Sequence, residues 1–168
     1  MSKKEIALLA VLGLLIIGVI VGIFVAKKVN QQQTIVNDFV APPFDAAAQT
    51  GRPTDVPEDG AYGALALRED AVVRMCANVH TEGTDALVFL TSEGENQGWI
   101  RIKLLDSDGN VVGESGLLRP GEYVRAVKLS REFAEGTMLT VRILVYEPGT
   151  YLSIGSAGAQ VRIAGPLK

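Results

Sequence analysis

Two kinds of apolar pattern divide this chain. Near the N-terminus lies one unbroken run, opening at Ile6 and closing at Ala26, in which no side chain is charged or hydroxylated. From about Leu65 onward, apolar residues come instead in short stretches separated by Gly, Asp, Asn and Pro. The first pattern predicts a helix. As an α-helix the 21 residues of the run would span about 31 Å, the thickness of a bilayer's hydrocarbon core. Backbone groups have no water to bond in lipid, so an apolar run of this length is expected to be helical there.

The second pattern predicts strands. The spacing suggests them over 72–80, 86–91, 99–105, 111–115, 123–129, 139–146 and 159–164, with an extra edge over 64–67. The stretch from Trp99 to Leu104 shows the period of two plainly, with Ile100, Ile102 and Leu104 directed inward and Arg101 and Lys103 outward. Gln160, Val161, Arg162 and Ile163 repeat it. Asp108-Gly109 is a hairpin signal, and Pro120-Gly121 has the residues of a type II turn, with φ preset by proline and the positive φ taken by glycine. The expected fold is all-β, an Ig-like β-sandwich of about seven strands, preceded by one N-terminal transmembrane α-helix and a linker.

Three regions follow: an anchor over 1–28, a linker over 29–63 and a β-sandwich domain over 64–168. The linker is rich in Pro, Ala, Asp and Gln and shows no sustained period. Lys3-Lys4 and Lys27-Lys28 bracket the apolar run and suit the two membrane interfaces. A cleaved signal peptide would need a shorter apolar core and small residues before the cut, and Phe24 ahead of Ala26 spoils that site. Gly18 and Gly22 form a GxxxG step, with Gly13 as a further small residue, through which two such helices could associate into a homo-oligomer.

Charge decides between partners. Of 16 bases and 19 acids, four bases and one acid lie within the first 28 residues, so the remainder carries 12 against 18, a formal −6. Such a balance disfavours nucleic acid, whose binding is dominated by phosphate neutralisation. Each flank of the apolar run carries two lysines, and the free α-amino group adds to the N-terminal side. A short basic N-terminus before a long acidic domain is the layout of a signal anchor in the cell membrane, with the C-terminal domain extracytoplasmic.

A resemblance enters at Ser115-Gly116-Leu117-Leu118-Arg119-Pro120-Gly121-Glu122-Tyr123, followed by Val127-Lys128-Leu129 and Glu135-Gly136-Thr137. This tract resembles one in small membrane-anchored β-sandwich proteins of Gram-positive, Clostridia-like bacteria; Met138 stands where their pattern has an aromatic residue. The resemblance implies a fold and a surface location and no activity.

Candidate chemistry is sparse. Asp106-Ser107-Asp108-Gly109-Asn110 opens like a calcium loop, but Val111 and Leu117 occupy the places of its glycine and distal glutamate, so a hairpin turn is expected and no metal. Cys76 has only Arg74 as a nearby base and reads as a buried, inert thiol. On one continuous strand Cys76 and His80 would share a face with Cα atoms about 13 Å apart, too far for proton transfer. No enzyme and no cofactor are expected. Trp99, beside the polar loop of Glu93, Glu95, Asn96 and Gln97, and Tyr146 and Tyr151, around Pro148-Gly149, are the candidate partner-binding residues. The expected role is a non-catalytic module that binds a protein or glycan, or a structural one. The rival layout is a pilin-like filament subunit with its apolar helix in the filament core.

Overall fold

A computed structural model describes residues 40–167. The expected membrane helix, with Ile6, Gly13, Gly18, Gly22, Ala26, Lys27 and Lys28, lies outside the described residues, as does the linker up to residue 39. Among the described residues no helix is long and apolar enough to cross a membrane.

The described chain is all-β and forms two sheets. Its strands are β1 (Gln49–Thr50), β2 (Tyr62–Arg68), β3 (Ala71–Cys76), β4 (Asn78–Glu82), β5 (Asp85–Leu87) and β6 (Leu90–Ser92), then β7 (Trp99–Leu105), β8 (Val111–Glu114), β9 (Glu122–Val124), β10 (Val127–Lys128), β11 (Met138–Tyr146) and β12 (Ser153–Pro166). One sheet has the order β1-β9-β6-β3-β2 and the other β10-β5-β4-β12-β11-β7-β8. Neighbours are antiparallel except β4 and β12, which run parallel. Residues of both sheets, from Val73 and Leu90 to Ile102, Ile143 and Ile163, share a single buried core.

The strands at 99–105 and 139–146 occur nearly where the alternation places them, as β7 and β11. Three other expected strands each divide in two. The stretch over 72–80 leaves the five-stranded sheet after Cys76 and joins the seven-stranded sheet at Asn78. The stretches over 86–91 and 123–129 pass between the same two sheets, at Val88-Phe89 and Arg125-Ala126. The three bends lie side by side and bond one another: the Cys76 amide donates to Val88 O at 2.9 Å and the Phe89 amide to Arg125 O at 2.9 Å. Phe89 takes φ +48, in the left-handed region, which turns the chain sharply there. Strands that change sheets at a bend form the corners of a sandwich. Joining the three pairs reduces the twelve strands to nine continuous ones, against about seven plus an edge expected.

The β unit also starts earlier than the apolar spacing suggests. It begins at Ala41, so residues 41–63, expected as linker, belong to it. Phe44 bridges Leu117 in parallel, and β1 pairs with β9. The Asp45 carboxylate accepts from the Gly116 amide at 2.8 Å, and Arg125 pairs with Asp55 at 3.0 Å. Ala48 and Val56 pack on the core. This segment is held by short backbone pairings and side-chain ties, which leave no period in the sequence. Gly116 is required at the crossing: a Cβ there would lie 2.4 Å from Asp45 backbone atoms.

Candidate interaction face

The outer surface of the seven-stranded sheet carries the aromatic residues singled out in the sequence, and the fold brings all three together. Trp99 and Tyr146 are directly opposed on β7 and β11. Tyr151 meets Trp99 edge to face, at 5.0 Å and 60° between ring planes. Its turn is set by Gly149 at φ +85 and by Tyr151 itself at φ +58, with the Tyr151 amide donating to Glu147 O at 3.0 Å. A fourth ring, Phe44, sits 4.8 Å from Trp99 at 74°, and the Arg119 guanidinium lies 3.7 Å above Phe44. Such edge contacts and the cation over a ring each add to what burial alone supplies. Trp99 is therefore half-buried within its own molecule, while beside Tyr151 the side chain of Leu152 is 63% exposed. Phe44 was not singled out from the sequence. Its one signal is an aromatic placed directly after Pro42-Pro43.

Arg101 departs from expectation. Alternation directs it to water, and it is only 8% exposed. Its register neighbour is Leu144, and Glu114 stands diagonally across, opposite Lys103. The guanidinium reaches that carboxylate at 2.8 Å, while its Nε is buried without a partner among the described residues. A long side chain can lie along apolar neighbours and deliver its charge at the end.

The polar loop before Trp99 is pinned rather than free. Asn96 is buried; its side chain accepts from the Val72 amide at 2.7 Å and donates to Val72 O at 2.8 Å and Ser92 Oγ at 3.0 Å. Glu93 accepts from Arg52 at 2.8 Å and from Arg74. Burial of Glu93 favours its neutral form, but those two hydrogen bonds outweigh it and hold its carboxyl below the usual range. Arg52, Glu93 and Asn96, with Asp70 and Thr91, line a cleft of about 590 Å³.

Cys76 and His80 do not lie on one strand, because the chain changes sheets between them. Cys76 is fully buried, and burial, with the nearby Asp59 charge, pushes its thiol up to about 11. A thiol in that state is a poor nucleophile. His80 Nε2 meets Asp59 Oδ1 at 2.8 Å, and its Nδ1 is buried without a partner among the described residues. The 106–110 stretch forms the expected turn between β7 and β8, with Gly109 at φ +81. The Asp106 carboxylate accepts from the amides of Asn110 at 2.9 Å and Asp108 at 3.0 Å, which lowers its pKa. Its oxygens are engaged by the turn itself. Among the described residues no three His, Cys, Asp or Glu side chains are grouped to hold a metal ion.

No protein-family model matches this chain, and no curated protein matches it in sequence.

Proposed function

We propose that the chain is a single-pass membrane protein that holds its β unit outside the cytoplasm in a non-catalytic binding or structural role at the cell surface. The observation that carries this reading is the 21-residue apolar run from Ile6 to Ala26, bracketed by lysine pairs and followed by an acidic remainder. Within it, the two-sheet unit is an Ig-like sandwich, related to the membrane-anchored family that the 115–123 tract resembles. Gly18 and Gly22 pair the helices of two copies, and a protein or glycan partner is met through loops or a sheet edge.

Fractionation and protease shaving of intact cells test the reading. The protein is expected in membranes, resistant to salt and carbonate washes, with its N-terminal residues through Glu5 retained and its β unit removed by external protease. One feature favours the filament subunit instead: Glu5, an acid directly before the apolar run, suits pairing with a neighbouring subunit's amine. A new N-terminus at Glu5 or Ile6, with the protein in sheared surface filaments, would establish that alternative.

A further inference from the structure

The three neighbouring strands β7, β11 and β12 contain Arg101, Lys103, Arg142 and Arg162 and no acidic residue. In a region whose formal charge is −6 this is a local reversal of sign. Alternation places the charges on the outer face. Ile100, Ile102, Val141, Ile143, Val161 and Ile163 are buried in the core, so the residues between them point away from it. Arg142 and Arg162 are exposed, and neither has an ion-pair or hydrogen-bonding side-chain partner among the described residues. Glu114, on the adjoining β8, takes Arg101 at 2.8 Å and stands 3.8 Å from Lys103, while Glu58, Asp59 and Glu135 line a hollow with Ala164 and Pro166 at the far end of β12.

A second observation points outward. Lys103 and Arg142 are directly opposed across β7 and β11. Like charges in that position are destabilising, and a layer of anions above the sheet would offset the repulsion. A third concerns the end of the same face, where Leu144, Tyr146 and Trp99 follow Arg142 along the paired strands. Trp and Tyr beside basic residues match the headgroup level of a bilayer, where an amphipathic ring has one side in hydrocarbon and one in water. The chain enters the β unit at this end, with Phe44 packed on Trp99.

We propose that the outer face of β7, β11 and β12 lies on an anionic lipid surface, with the Trp99 cluster at headgroup level and Arg142 and Arg162 over the lipid phosphates. The proposal rests on membrane anchoring and names the partner of the aromatic face. Charge complementarity selects anionic lipid, and the rings sharing the face select lipid over a soluble polyanion. Docked in this way, the unit would turn the cleft at Glu93, on the opposite sheet, away from the membrane.

Trp99 is the one tryptophan of the 168-residue chain, so its fluorescence reports this face without labelling. The experiment reconstitutes the full chain into vesicles of phosphatidylcholine, with or without phosphatidylglycerol, using acyl chains brominated near the headgroup as quencher. Flotation reports anchoring separately. The expected result is flotation with both vesicles and quenching of Trp99 mainly in those containing phosphatidylglycerol, weakening as salt is raised. Arg142→Ala and Arg162→Ala should each lower the ratio of docked to undocked domains about fivefold, while Arg142→Lys with Arg162→Lys retains docking. Both residues are exposed, and circular dichroism checks that each variant is folded. Flotation with no quenching, or with equal quenching in both vesicles, overturns the docking and leaves the anchor standing. Failure to float overturns the anchor and the docking with it. Protection of Trp99 from acrylamide by soluble polyphosphate in micelles, without quenching in vesicles, assigns the face to a polymer and overturns lipid.

Discussion

Along β11 exposed and buried residues alternate, Leu139, Val141, Ile143 and Val145 buried with more open neighbours between them, whereas from Ala86 to Ser92 every residue is buried. The first is one continuous strand, and the second is two short strands joined at a bend. The first stays in one sheet, so one side faces the core and the other does not. The second crosses from the seven-stranded to the five-stranded sheet at Val88-Phe89, and at a crossing both sides of the chain meet packed side chains. Burial on both sides therefore marks a change of sheet here as much as a central position in one. The tolerance of a position to substitution should follow this distinction rather than its distance from the middle of the domain.

The sharpest way to break the comparison is at the crossing. Phe89 is fully buried, and the Arg125 guanidinium lies 5.7 Å from its ring. Phe89→Ala is expected to destabilise the protein by about 3–5 kcal/mol in urea unfolding. A loss below about 1 kcal/mol would mean that the bend collapses around the cavity and that the crossing is not a fixed point of the core. Next comes the segment that crosses Gly116. Gly116→Ala forces the Asp45 backbone away, with an expected loss of about 1–3 kcal/mol and faster amide exchange in residues 41–51. Unchanged exchange there would show that this segment does not depend on the Gly116 contact.

Acid titration probes the five-stranded side. The Glu93 carboxyl is depressed in the folded state, so its contribution to stability is fully present above the unfolded value of about 4.3 and is lost as pH falls through the folded value. Glu93→Gln should be less stable at neutral pH and lose less on acidification. A variant with the parent's slope would assign the acid sensitivity to other carboxylates. The smallest effect is expected on the solvent side of β11, where Thr140→Ser should change stability by less than about 0.5 kcal/mol. A larger loss would show that this face is covered in the folded protein.

How legible each part was in the sequence follows from the same contrast. β11 could be read residue by residue because its burial alternates, and β7 because its apolar and basic residues alternate in sequence even though Arg101 is buried. The three crossings could not, because a run such as Ala86 to Leu90 has the composition of one strand, and nothing local says that its two ends pair with different neighbours. The first half of β12 was missed because Ser153 to Gln160 is mostly Ser, Gly and Ala, with no apolar period to detect. Residues 41–63 read as linker because prolines and glycines mark loops equally well when the loop is anchored, as here by Asp45, Asp55 and Phe44. At the candidate face, Trp99, Tyr146 and Tyr151 were visible as aromatics beside turns. The contribution of Phe44 and the burial of Arg101 depend on contacts across the fold, which spacing along the chain does not record.

The place of β12 has a consequence for how the protein is made. It is the last strand in the described chain and the middle one of its sheet, set between β4 and β11. A growing chain emerges N-terminus first, so while β12 is still in the ribosome β4 lacks its parallel neighbour and β11 has an open side. Assembly of the seven-stranded sheet therefore waits until β12 has emerged, and until then the apolar faces of β4 and β11 need protection from premature association.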